Sequence, residues 1–166
     1  MKLYAAAAFL ALALLNTPAF AESYPIPYEN TVATISVPDS WNPNASSDGI
    51  DAAAPGQGFF FSIYLSEEKA EADAVASATK IASNGDVMQI DLASKTETNA
   101  NIGKVNSHEF DYKMVMEGKS GLLAINLVRL KSGGYLQVIR WGTAKGFAEN
   151  VAHTKRIFAT LRVKKR

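Results

Sequence analysis

The sequence predicts an α+β fold, a central antiparallel β-sheet of about six strands with packed α-helices. Three observations predict it. Segments with period-two apolar alternation follow one another across short turns, which is hairpin rather than crossover order. Two other segments carry apolar residues at helical spacing, one amid the strands and one near the C-terminus. Residues 59–65, FFFSIYL, are apolar on both sides of any strand they form, so that strand requires cover on both faces.

Taken in order, the chain begins with Lys2 and an apolar run over residues 3–15. That run is too short to span a bilayer, which takes about 18–20 residues. Asn16-Thr17-Pro18 ends it, and Ala19-Phe20-Ala21 places small residues where signal peptidase requires them. Residues 1–21 are therefore expected to be a secretory signal peptide, cleaved after Ala21. The plainer alternative is a short N-terminal anchor. No cysteine follows to be lipidated. The expected mature chain, residues 22–166, is one domain of 145 residues with a periplasmic address.

Removing Lys2 leaves 16 basic and 16 acidic residues among the 17 and 16 of the whole chain. A mature net charge of zero argues against a nucleic-acid partner, because a phosphate lattice rewards a large positive excess. The absence of cysteine excludes thiol catalysis, dithiol redox chemistry and Cys-based zinc sites. The fold must stand on its core without disulfides.

Residues 31–37 predict a strand running into the turn Pro38-Asp39-Ser40-Trp41-Asn42-Pro43, and residues 44–49 a polar loop. Residues 59–65 are the densest strand signal. Ser66 is an expected N-cap for a helix opening with Glu67 and Glu68 and stopping at Asn84-Gly85. Its inner face is expected to be Ala70, Ala74, Ala78 and Ile81. Residues 87–93 predict a strand with Met88, Ile90 and Leu92 on one face, and residues 96–101 a turn. Residues 105–116 place Phe110, Tyr112, Met114 and Met116 on one face and Glu109, Asp111 and Lys113 on the other. A hairpin turn at 117–121, a strand over 122–130, a turn at Ser132-Gly133-Gly134 and a strand over 135–141 follow. A second helix opens between Gly142 and Gly146, with Phe147, Val151, Thr154 and Phe158 as its inner stripe and Ile157 and Leu161 beside it.

"VATISVPDSW" resembles the opening strand and Pro-x-x-Trp turn of the PsbP-like superfamily. That superfamily includes an extrinsic oxygen-evolving protein of photosystems, a Ran-binding nuclear transport factor and bacterial periplasmic DcrB-like proteins. "GGYLQVIRWGTAKGFAENVAHTKRIFATLRV" is similar to its closing strand–helix–strand. The resemblance covers residues 31–163. It implies a central antiparallel sheet with helices packed on it. It brings no catalytic residues, because proteins of this fold mostly bind or assemble others.

The chemistry can then be weighed residue by residue. Burying phenylalanines stabilises by roughly 1.5–3 kcal/mol each, so FFFSIYL reads first as a central strand; Phe60 and Tyr64 on its second face are the candidates for a ligand pocket. Pro55-Gly56-Gln57-Gly58 precedes a strand, whereas phosphate-cradling loops precede helices. Gly118-Lys119-Ser120 imitates the end of a P-loop, but Lys113 occupies the place of its first glycine. His108 shares a strand face with Phe110 and Tyr112 and reads as a packed, hydrogen-bonded histidine. His153 lies in the last helix. No Gly-x-Ser-x-Gly elbow accompanies either histidine. Asp48, Asp51, Glu67 and Glu68 match no EF-hand spacing and read as a solvated rim. The basic end over residues 162–166, after Lys155 and Arg156, reads as a solvated tail, with contact to anionic lipid or an acidic partner as the alternative. Trp41 is a candidate interface residue; the plainer alternative is a turn aromatic sealing the sheet edge.

No catalytic, cofactor-binding or metal-binding residue is assigned, and no cofactor is expected. The function expected is an exported, non-enzymatic periplasmic binding or assembly factor. Its partner would be an envelope protein or small ligand, with no nucleic acid and no stable membrane insertion. The alternative is a cryptic carboxylate-based hydrolase, which would bring two titratable side chains together in a concave pocket.

Overall fold

A computed structural model describes residues 21–27, 32–83, 88–131 and 133–164. Expectations for residues 1–20 and for the helix stop at Asn84-Gly85 lie outside the described residues. In chain order the elements are β1 (Ala21–Ile26), β2 (Ala33–Pro38), a 3₁₀ turn (Asp39–Trp41), β3 (Asn44–Ala45), β4 (Gly49–Ala53), β5 (Phe59–Ser66), α1 (Glu71–Ala82), β6 (Met88–Ile102), β7 (Val105–Met116), β8 (Lys119–Arg129), β9 (Tyr135–Thr143), α2 (Ala144–Phe158) and β10 (Arg162–Val163). Seven strands form one antiparallel sheet in the order β3-β4-β5-β9-β8-β7-β6, and β1-β2-β10 form a small second one. The α+β class stands, with more strands than the sequence predicts.

β5 explains the architecture. It pairs with β4 and β9, so both its edges are used. Phe59, Phe61 and Ile63 face a core closed by the small sheet and α2, with Phe61 fully buried. The opposite face of the large sheet packs on α1 through Phe110, Tyr112, Leu123 and Ile125. A strand covered on both faces can be apolar on both, as β5 is.

α1 begins at Glu71, four residues later than the sequence predicts. Ser66 remains in β5, paired with Tyr135, and its hydroxyl accepts from the Glu68 amide. The N-cap is Ala70, which makes no side-chain cap bond. The buried face is Ala74, Val75, Ala78 and Ala82, while Ala70 and Ile81 are exposed. Small residues let the helix lie close enough for the buried Gln137 of β9 to donate to the Ala74 carbonyl at 2.9 Å.

β6 replaces the expected strand-then-turn. It runs for 15 residues along β7, with a register shift between Asp91 and Thr96. Its polar second half looked like a turn because β6 is an edge strand, where polar side chains suppress edge-to-edge association. The shift also places Leu92 in solvent, 64% exposed.

Two close approaches fix α2 on the sheet. A Cβ at Gly146 would fall on the Gly58 carbonyl, and one at Gly103, in the β6–β7 turn, on the carbonyl of Phe158. The glycine loop before β5 therefore seats a helix rather than a ligand. Thr143 caps α2, its hydroxyl accepting from the Gly146 amide at 3.0 Å. The inner stripe is Thr154, Ile157 and Phe158 with Phe147 partly buried; Val151 is 68% exposed, contrary to expectation.

Candidate binding groove

The residues singled out by sequence are mostly committed to the fold. Trp41 is 2% exposed and packs against Phe59 and Phe61, with centroids 6.0 and 5.8 Å apart. It is the turn aromatic that seals the core, and the interface reading is overturned: the turn folds its side chain inward where β5 offers two aromatic partners. Phe60 stacks on Trp141 at 5.7 Å. Tyr64 donates its hydroxyl to the Asp51 carboxylate, 2.7 Å from Oδ2, and Ser62 donates to the same group. Burial first, and this hydrogen bond second, push the Tyr64 phenol well above its usual range. His108 is packed and bonded as expected, its ring 4.4 Å from Phe110 and its Nδ1 3.0 Å from Glu71. His153 is exposed on α2, and Asp48, Glu67 and Glu68 are exposed.

One polar cluster escapes sequence reading. Asn126 and Glu109 are register partners on β8 and β7, and Arg140 of β9 lies diagonally from Asn126. Glu109 accepts from Arg140 and, at 2.9 Å, from Asn126 Nδ2; Arg140 also donates to Asn126 Oδ1 at 2.8 Å. Asp111 is the next residue on that face, and burial, with Glu109 beside it, raises its carboxyl pKa. The Glu109 carboxylate is therefore engaged by a cation and an amide. A polar residue inside each apolar run, LLAINLVRL and LQVIRWG, is the signal that could have found the cluster. Strand register, which no local pattern supplies, makes it one.

An apolar groove lies where the sheet pairing gives out. The β7–β8 ladder runs from Met116↔Lys119 to His108↔Leu127. β7 nevertheless begins at Val105 and β8 continues to Arg129. Alongside this gap lie Leu161, just after α2, and β10, one edge strand of the small sheet. The result is a groove of about 580 Å³, within the range of about 300–1,000 Å³ usual for ligand sites. Its apolar lining is Val32, Val105, Val128, Leu130, Leu161 and Val163.

Five exposed cations border it: Lys104, Arg129, Lys131, Arg162 and Lys164. Among the described residues, no Asp or Glu lines it. The two arginines are occupied. Arg129 donates to the Lys69 carbonyl at 2.8 Å and lies over the Tyr135 ring, and Arg162 donates to the Ala159 and Leu161 carbonyls. Among the described residues, the three lysine ammoniums have no hydrogen-bond or ion-pair partner. Sequence reading noticed only the basic stretch at 162–166; the rest of the rim comes from two distant turns.

No protein-family model matches the sequence, and no curated protein matches it. The fold is what the comparisons identify. The cyanobacterial PsbP of Synechocystis superposes with a TM-score of 0.54 at 12% identity, over 88% of this chain and 94% of that one. The fold is PsbP-like. LpqN of Mycobacterium tuberculosis, described as involved in cell envelope biogenesis, superposes on this PsbP-like chain with a TM-score of 0.52 at 15% identity, over 87% of this chain and 92% of its own. A Bacteroides thetaiotaomicron protein gives 0.52 at 16% identity, over 87% of this chain and 49% of that protein. No helix among the described residues is long and apolar enough to cross a membrane.

Proposed function

We infer that this is an exported, non-enzymatic binding or assembly factor of the periplasm, released by cleavage after Ala21, and that the basic-rimmed groove holds its ligand or partner. The groove carries the reading. Val32, Val105 and Val163, left partly exposed beside lysines that have no counter-charge among the described residues, are a cost to a folded protein, and a bound molecule recovers it. The leader and the envelope role of LpqN support the compartment. Two of the carboxylates are already engaged, Glu109 by Arg140 and Asn126 and Asp51 by Tyr64 and Ser62.

The test is capture from the cell envelope with the purified protein as bait, beside a variant carrying Lys104→Glu, Lys131→Glu and Lys164→Glu. The reading expects molecules retained by the wild type and lost by the variant. Equal capture by both would remove the groove from the function. N-terminal sequencing of the periplasmic protein should begin at Glu22; an intact Met1 in membranes would overturn export.

A further inference from the structure

We propose, resting on that reading, that the groove takes one anionic lipid, its acyl chain laid along the partly exposed Val32, Val105 and Val163 and its phosphate held by Lys104, Lys131 and Lys164. Among the described residues the apolar lining is aliphatic, with no aromatic platform and no side-chain amide or hydroxyl except that of Asn106. It offers an alkyl chain dispersion contacts and no directional bonds. Among the described residues the rim offers positive charge alone. A molecule complementary to both is apolar along its length and anionic at one end.

An acidic peptide shares that description and fits less well. A planar carboxylate is best read by a free guanidinium fork, and both rim arginines already donate to main-chain carbonyls. The lysines that remain are point charges, suited to a phosphate approached from any direction. A peptide added as a strand also needs a sheet edge of some length. The edge strand here, β10, has two residues. In sequence the basic run continues into Lys165 and Arg166, and basic runs of this kind are attracted to anionic bilayer surfaces.

The experiment is calorimetric and NMR titration of the purified protein with lysophosphatidylglycerol below its critical micelle concentration. Lysophosphatidylcholine, glycerol phosphate and an acidic valine-rich peptide are titrated beside it. Binding of lysophosphatidylglycerol is expected, with amide shifts centred on Val105, Val128, Leu130 and Val163. Affinity should fall at least tenfold for the zwitterionic lipid. Glycerol phosphate should bind at least tenfold more weakly than the lipid. Affinity should rise at least about threefold for each added pair of methylenes until the groove is filled.

In the Lys104→Glu, Lys131→Glu, Lys164→Glu variant, affinity should fall at least tenfold with the melting temperature and circular dichroism kept. Equal binding of the zwitterionic lipid, glycerol phosphate binding as tight as the lipid, or tighter binding of the peptide would each overturn the inference. So would shifts confined to another surface. Failure here separates from failure of the wider reading: a captured envelope protein that still depends on the three lysines would leave the groove functional and the lipid wrong.

Discussion

The core around β5 and the groove beside β10 are both apolar, and the fold leaves them in opposite states. At β5, Phe59 and Phe61 are covered by Trp41, Phe147 and Phe158, rings meeting at centroid distances of 4.8–6.0 Å. Among the described residues no charged side chain is buried. At the groove, Val105 and Val163 remain partly exposed and cations stand around them. Large aromatic side chains close a core because each covers the next; short aliphatic ones at the end of an unfinished strand pair do not. The difference separates stability from binding, and substitutions at the two places should move different observables.

The largest effect is expected at Phe61. Phe61→Ala removes a fully buried ring and should cost about 3–5 kcal/mol in urea denaturation through lost burial and a cavity. A loss under about 1 kcal/mol would mean that the β5 core is not what holds the fold. Trp41→Ala should cost about 3 kcal/mol by the same mechanism while leaving ligand affinity within twofold. Lost capture with unchanged stability would restore Trp41 as an interface residue and break the distinction between the two regions.

A smaller effect belongs to Asp111. Its folded-state pKa is raised by burial and by Glu109, so the folded protein binds a proton that the unfolded chain has released. Stability should therefore fall as pH rises from the ordinary carboxylate value of 3.8 through the raised value, and stay lower above it. Asp111→Asn should flatten that slope and raise the melting temperature at pH 7. An unchanged slope in thermal melts between pH 3 and 7 would mean that Asp111 is as hydrated folded as unfolded.

The smallest effect on stability is expected at the rim. Replacing Lys104, Lys131 and Lys164 together by alanine should change unfolding free energy by no more than about 0.5 kcal/mol per site, since exposed, unpaired charges away from packed features contribute little. A larger loss would make the lysines part of the fold and not of a site.

The parts legible in the sequence are those where one local pattern meets one environment. β5, β7 and β9 alternate or saturate with apolar residues as their burial requires, and α2 shows most of its stripe. β1 was missed because Pro25 argues against a strand; it is tolerated there because β1 lies at the sheet edge. β4, GIDAA, is too short and too small in side chain to announce itself. The first turn of α1 was misplaced because Ser66 satisfies the chemistry of an N-cap while the ladder to Tyr135 keeps it in β5. The groove was beyond local reading altogether. Its residues come from four separate stretches, near 32, 104–106, 128–131 and 161–164, and only sheet register and the path of α2 bring them together.

The most direct test of the central claim, that the groove beside β10 is the working surface, is amide hydrogen exchange with and without anionic phosphatidylglycerol vesicles. Exchange should slow in residues 104–106, 128–131 and 161–164 and stay unchanged in α1 and in the polar half of β6. Slowing of the same strength with zwitterionic vesicles, or none in those three stretches, would contradict it.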